Sequence, residues 1–292
     1  MTNRIIVICG PTGVGKTKLG IELAKTIGGE IINADSTQIY KRMNIGTAKV
    51  TKEEAGGIPH HLIDIVDLSG EYSVYDYQRD CRSCIDDIFK RGKTPIIVGG
   101  TGLYIKAALY DYDFRDEEEI YCYEGISTEE LYQQLIQIDS ETTIHPNNRK
   151  RIERALTFYK NNNEPQSLAS KTDTLLYDAI FIGLTTTREN LYDIINRRTD
   201  YMIDNGLLHE AYMLYNTDIR SRALLTPIAY KELFEYFDGD ISLNDAIDLI
   251  KQRCRKYAKR QYTWFKNQFD VKWYDVDFSD FNKTIEAIKK EI

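Results

Sequence analysis

Apolar, β-branched residues fall in short runs along the chain, and polar stretches with helical spacing fill the intervals. RIIVIC (4–9), EIINA (30–34), HLIDIV (61–66), PIIV (95–98) and DAIFIGL (178–184) read as strands buried on both faces. Helical patterns occupy residues 15–27, 72–91, 147–160 and 188–204. This alternation predicts an α/β fold, a parallel sheet flanked by helices. The rhythm breaks at 111–145, where an acidic, tyrosine-rich start leads into one amphipathic helix, TEELYQQLIQI. That segment reads as a small, mostly helical insertion. The core is then 1–110 with 146–292, ending in a helical C-terminal region whose basic stretch spans 243–268.

Directly behind the first strand lies GPTGVGKT (10–17), which fits G-x-x-x-x-G-K-[ST] between a strand and a helix. In such a P-loop, Gly10, Pro11, Thr12, Gly13, Val14, Gly15, Lys16 and Thr17 wrap a phosphate group. Backbone N–H groups and the helix N-terminus bind its oxygens. Lys16 neutralises developing charge, and the Thr17 hydroxyl is placed to ligate Mg²⁺. The loop reads phosphate and says nothing of the reaction. A nucleotide hydrolase ends a later strand with a carboxylate that holds Mg²⁺ and positions water. Here PIIV runs into GGTGLY (99–104), without an acid. The acid follows the second strand instead, as Asp35 in ADSTQIY. In a parallel sheet both strand ends open on one crevice, so Asp35 faces whatever reacts with the phosphate-bearing ligand. It can take a proton from an attacking group. The same local pattern also suits a helix N-cap at Asp35.

Charge refines this picture. The 292 residues carry a net charge of −7, but its distribution is uneven. KQRCRKYAKR (251–260) and RKRIER (149–154) are strongly basic, while acid gathers in DFRDEEE (113–119). A local basic surface on an acidic protein is compatible with gripping phosphodiester at one place. No apolar run approaches the roughly 18 residues that span a bilayer, and MTNRIIVICGPT does not read as a signal peptide. A cytoplasmic protein is expected. The five cysteines are odd in number and scattered, and the Cys81–Cys84 pair falls on the apolar face of a helix. No histidine pair has metal-ligand spacing.

Seven segments together carry a resemblance. GPTGVGKT, ADSTQIY (34–40), IGTAK (45–49), PHHLID (59–64), GGTGLY, HPNNRKRIERAL (145–156) and YAKRQYTWF (257–265) occur in the order found in the bacterial tRNA dimethylallyltransferases. The chain resembles that family over nearly its whole length. The resemblance implies that the P-loop cradles the diphosphate of dimethylallyl diphosphate, which leaves as pyrophosphate. The acceptor is the exocyclic amine of the adenosine 3′-adjacent to the anticodon, with Asp35 as its general base. Thr101 matches a position touching the target nucleotide, and Ser36, Thr37 and Gln38 match the strip beside the flipped base. Arg149, Lys150, Arg151, Arg154, Arg255, Lys259, Arg260 and Gln261 are then the expected tRNA contacts. The implied cofactor is Mg²⁺. The implied partners are the tRNA anticodon stem–loop and dimethylallyl diphosphate, with no membrane and the chain acting as a monomer.

Three departures stand out. Ala229 in LTPIAYKEL (225–233) replaces the family's usual glycine, Cys254 stands where Thr is common, and 111–145 is shorter than usual. Rival readings are a prenyltransferase acting on free adenine nucleotide, a small-molecule kinase, and an RNA-binding nucleotide switch. The first does not require two basic clusters, and the second leaves GGTGLY unexplained. The third lacks its strand-end acid. Whether Arg220 or Arg222 closes over the diphosphate stays open.

Overall fold

The computed structural model describes residues 4–112, 114, 121–169 and 174–292. Among the described residues six strands form one parallel sheet: β1 (Arg4–Cys9), β2 (Gly29–Asn33), β3 (His60–His61), β4 (Thr94–Val98), β5 (Asp178–Thr185) and β6 (Lys272–Asp275). Their order is β3-β2-β4-β1-β5-β6. Ile6 stands opposite Ile96 on one side of β1, and Val7 opposite Phe181 on the other. Ile5, Val7 and Ile8 are fully buried. Such a strand must be apolar on both faces, as RIIVIC is. Because β1 is central and flanked by β4 and β5, its C-terminal end opens at a switch point of the sheet.

Helices α1 (Lys16–Ile27), α2 (Lys52–Ala55), α3 (Val74–Lys90) and α4 (Gly102–Leu109) belong to the first half of the chain. Thr51 and Ser73 begin α2 and α3 with capping boxes to Glu54 and Asp76. Cys81 is buried in α3 and Cys84 half-buried, both as free thiols in the packing face.

A second compact unit spans Leu109–Leu176. It extends past residue 145, where the change of sequence rhythm alone would end it, because α5 (Thr128–Ile138) packs on α6 (Arg149–Asn162). Leu131, Leu135, Ile152, Ala155 and Leu156 are the buried residues between them. The short α7 (Gln166–Ala169) follows, and an antiparallel bridge between Tyr110 and Leu175 joins the unit's ends. The acidic run 113–119 lies outside the described residues apart from Phe114.

The remaining helices are α8 (Arg188–Met202), α9 (Leu208–Tyr215), α10 (Arg222–Leu225), α11 (Tyr230–Phe237), α12 (Leu243–Gln268) and α13 (Phe281–Lys289). All but α13 contribute to a second apolar core around Met43, Leu207, Tyr230, Leu233 and Ile250, while α13 packs Ile285 and Ile288 into the core of the sheet and α1.

Two strand expectations change. The run 61–66 pairs as β3 only at His60–His61, because Leu62 and Asp64 take positive φ (60° and 56°) and leave the extended path. Only an isolated bridge from Val66 to Tyr40 follows. Conversely β6, KWYD, escapes the periodicity reading: four residues with polar ends carry little signal. The helix expected over 188–204 stops at Met202. A π-turn at Ile203–Leu207 follows, with Gly206 at φ 102°.

Ala229 sits at φ 104°, ψ −49°, only 3% exposed, at the head of α11. Its N–H donates to Glu232 Oε2 at 2.8 Å, and Glu232 is paired with Arg253, so the conformation is held from outside. A side chain at that φ costs about 1–3 kcal/mol, against roughly 0.5–1 for the greater freedom of unfolded glycine. Ala229→Gly is therefore expected to stabilise the fold by about 1 kcal/mol. A raised urea midpoint with unchanged slope checks this, and a lowered midpoint contradicts it.

Candidate active site

The loop after β1 turns back on itself through Gly10, Gly13 and Gly15, at φ 133°, 90° and 90°, which side chains rarely adopt. Gly15 caps α1, so the first N–H groups of that helix point into the crevice. Lys16 Nζ donates to the carbonyls of Gly10 (3.0 Å) and Pro11 (2.7 Å). Burial lowers its pKa to about 8, against an upward pull from Asp35 and a further push down from Arg198. Arg198 reaches the same place from α8 and donates to Thr12 Oγ1 at 2.8 Å. Burial lowers its pKa too, opposed by Cys254 and Asp35. Two half-buried cations thus meet one carboxylate.

Asp35 follows β2 and does not cap a helix. Its Oδ1 accepts from Thr37 N (2.9 Å) and Thr37 Oγ1 (2.7 Å), a side-chain-closed turn. Asn33 braces it from behind, accepting from Asp35 N–H and donating to the Asp35 carbonyl. Among the described residues the other carboxylate oxygen has no hydrogen-bond donor. Beside it, Thr101 Oγ1 accepts from Ser36 N at 3.0 Å, so the strip 35–37 is docked on the turn after β4. Gln38 Nε2 donates to the carbonyls of Thr47 and Ala48.

The glycines of GGTG are explained by crowding rather than by phosphate. A Cβ on Gly99 would lie 2.1 Å from the Ala34 carbonyl oxygen, one on Gly100 2.1 Å from Gln261 Nε2, and one on Gly102 2.0 Å from Trp264. The end of β4 and the start of α4 are pressed against β2 and α12. Gln261 is 5% exposed; it accepts from Thr12 N at 2.9 Å and donates to the Gly100 carbonyl at 3.0 Å. Tyr257, its neighbour one turn earlier, has its pKa raised by burial and then by the Asp35 charge, with the Thr101 and Gln261 side chains acting the other way.

Two cavities meet here. One, of about 490 Å³, is lined by P-loop residues with Asp35, Gln38 and Arg198. The other, of about 290 Å³, is lined by Asp35, Ser36, Thr37 and Tyr257, then by Met202, Leu207, Ile228 and Ile250. Thr12, Asp35, Thr47 and Arg198 line both. The first gathers four cations, Lys16, Lys18, Lys25 and Arg198, against three carboxylates, Glu22, Asp35 and Glu54, and the second is largely apolar beyond its Asp35 rim. Thr17 is exposed on the wall of the first.

The basic clusters divide. On α12, Lys259 and Arg260 are exposed, but Arg255 is half-buried and donates to Asn196 at 2.6 Å. Gln261, expected among the tRNA contacts, faces inward as the bridge just described and is 5% exposed. On α6, Lys150, Arg151 and Arg154 are exposed. Arg149 instead donates to the carbonyls of Tyr123 and Ile126 and pairs with Glu153, binding its own unit together. Neither Arg220 nor Arg222 lines either cavity: Arg220 packs over Tyr215 and Phe234. Arg198 was not singled out because nothing in RRTD marks one arginine of the pair as inward. Only the helical phase of α8 relative to β5 could have flagged it.

With this geometry in hand, known proteins supply the comparison. A family model described as IPP transferase matches residues 38–268. A tRNA dimethylallyltransferase of Anoxybacillus flavithermus is 48% identical over 99% of this chain and 96% of the relative. One from Geobacillus kaustophilus is 48% identical over 100% and 97%. A solved tRNA isopentenylpyrophosphate transferase from Staphylococcus epidermidis superposes with a TM-score of 0.75 at 41% identity, covering 99% of this chain and 98% of that one. A eukaryotic dimethylallyltransferase acting on tRNA gives 0.84 at 32% identity, over 98% and 77%. The family model begins after the P-loop, but the full-length relatives extend across it. The sheet order, the two joined cavities and these matches agree that the chain belongs to the IPP transferase family, among the tRNA dimethylallyltransferases.

Proposed function

We infer that this protein transfers a dimethylallyl group from dimethylallyl diphosphate to the exocyclic amine of the adenosine 3′-adjacent to the anticodon in tRNA. The observation that carries this reading is the shared wall of the two cavities, where Asp35 stands between a cationic chamber and an apolar one. The diphosphate belongs to the P-loop side, held by loop N–H groups, Lys16 and Arg198. The adenine, extruded from its stack, comes to the strip Asp35–Gln38 and Thr101. Exposed basic side chains of α12 suit the phosphodiester of the tRNA, as, within their own unit, do those of α6. The cytoplasm is the fitting compartment, and among the described residues no helix is long and apolar enough to cross a membrane.

In the reaction the bond between the allylic carbon and the diphosphate oxygen breaks, and its electron pair leaves with pyrophosphate. The amine lone pair forms the new C–N bond, and its proton passes to the Asp35 carboxylate. The allylic carbon tolerates positive charge, so stabilising the departing diphosphate dominates the barrier. Lys16, Arg198 and the α1 N-terminus do this. Among the described residues no cluster of three or more His, Cys, Asp or Glu could hold a metal alone. That fits Mg²⁺, which keeps several waters and needs few protein ligands when it arrives with phosphate oxygens. Thr17 would hold it, and when bound it would add charge to the leaving group.

Asp35→Asn keeps an oxygen for the Thr37 contacts while removing the proton acceptor. Turnover with dimethylallyl diphosphate and unmodified tRNA is expected to fall by about 10²–10⁴, with binding of both substrates within about threefold. Near-normal turnover would return Asp35 to a purely structural role. Running the wild type with adenosine monophosphate as acceptor separates the free-nucleotide reading.

Lys16 gives a pH prediction. With its pKa near 8 in the free protein, the lysine is charged below that pH and loses its proton above it. A bound diphosphate favours the charged form, so above pH 8 binding must take up a proton. Affinity for dimethylallyl diphosphate, without tRNA, should weaken about tenfold or more between pH 7.5 and 9.5. Calorimetry in buffers of different ionisation heat should register proton uptake. Lys16→Met should bind weakly at both values with the slope gone; a flat wild-type profile contradicts the assignment.

A further inference from the structure

The motif IGTAK has so far received no chemical task, although Gly46 lines the acceptor-side cavity and Thr47 lines both. The turn that carries it lies off the sheet, and its backbone N–H groups at 44–46 converge on one side chain. Glu210, in the first turn of α9, accepts at Oε2 from Asn44 N and Ile45 N (2.9 Å each). At Oε1 it accepts from Gly46 N (3.0 Å) and from the Tyr230 hydroxyl (2.8 Å). A carboxylate has about four lone-pair sites, and here each has a donor. Among the described residues no lysine or arginine pairs with Glu210. Three successive backbone N–H groups form a nest suited to an anion, and the protein fills it with its own carboxylate.

The surroundings are built for this contact. A Cβ on Gly46 would lie 2.6 Å from the Tyr230 hydroxyl, so only glycine lets Tyr230 reach the carboxylate. The π-turn at Ile203–Leu207, with Gly206 at φ 102°, resets the path between α8 and α9. Arg198 before that turn and Glu210 after it both serve the same crevice. Beyond the nest, the carbonyls of Thr47 and Ala48 hold Gln38. The held turn therefore leads directly to the strip that follows Asp35.

We propose that Glu210 is a positioning residue for the transfer: its carboxylate fills the N–H nest of residues 44–46 and so fixes the wall against which the acceptor nucleotide is aligned beside Asp35. This rests on the reaction inferred above. Glu210 touches no reacting atom. Its effect belongs to the acceptor side, and inorganic pyrophosphate bound at the P-loop should be indifferent to it.

The test uses the full chain with Glu210→Ala, Glu210→Gln and Tyr230→Phe, assayed where circular dichroism shows each folded. In Glu210→Ala, kcat/KM for tRNA should fall at least about thirtyfold, since several charge-assisted hydrogen bonds are lost. The dissociation constant for pyrophosphate should stay within about threefold. Sodium formate, small enough to enter the emptied nest, should restore the Ala variant at least about tenfold. It should not restore Glu210→Gln, whose amide fills the space and turns an N–H towards donors. Sodium chloride at equal ionic strength is the control. Activity of the Ala variant within threefold of wild type overturns the proposal, as does a loss that formate leaves untouched. Should the Ala variant not fold, Tyr230→Phe decides: it removes one bond of four and should lower kcat/KM for tRNA about three- to tenfold with pyrophosphate binding unchanged. No change there overturns the proposal. An inactive wild type would instead sink the reaction reading, so the two failures are distinguishable.

Discussion

A half-buried ammonium group at the head of a helix, on the wall of the P-loop cavity, governs this site. Lys16 packs against the carbonyls of its own loop, where the Arg198 charge pushes its pKa down and Asp35 is the counter-charge that both cations feel. Burying a cation without a matching anion is unfavourable, and the partial positive charge of the α1 N-terminus adds to the imbalance. The crevice is therefore preorganised for an anion larger than one carboxylate. A diphosphate meets that demand, and it does so most strongly as it departs with a full extra charge. The same electrostatics that draw an anion to the loop make it a good leaving-group site.

Around that centre, the fold is arranged to bring three distant segments to the end of β1. The turn after β2 supplies Asp35, the turn after β4 supplies Thr101, and α8 supplies Arg198. Gln261 ties α12 to both the P-loop and the β4 turn with one amide. Exposed Lys259 and Arg260 immediately precede it on α12. The helix that offers basic side chains outward thus also braces the diphosphate loop inward. A net charge of −7 does not oppose this, because at physiological salt charges beyond about 8 Å are largely screened.

Features that depend on neighbours in sequence were legible before the structure. The P-loop, the buried strands β1, β2, β4 and β5, and the helix Thr128–Ile138 follow from short patterns whose physics is local. Asp35 at a strand end followed from parallel topology. What escaped depends on contacts between remote residues. Arg198 meets Thr12, 186 positions away, and Gln261 meets it across 249. A basic stretch reads alike whether an arginine faces solvent, as Arg260 does, or binds its own unit, as Arg149 does. The run 61–66 has strand composition, yet two positive φ angles end the strand after His61, and composition carries no sign of φ.

The central claim is that this P-loop holds a leaving group and that no phosphorus–oxygen bond is broken. Dimethylallyl diphosphate carrying ¹⁸O at the oxygen that bridges carbon and phosphorus tests it directly. After reaction with unmodified tRNA, mass spectrometry should find the label wholly in released pyrophosphate and a label-free dimethylallyl group on adenosine. Label retained in dimethylallyl alcohol, or phosphate appearing on the tRNA, would mean that phosphorus was attacked and would contradict the account.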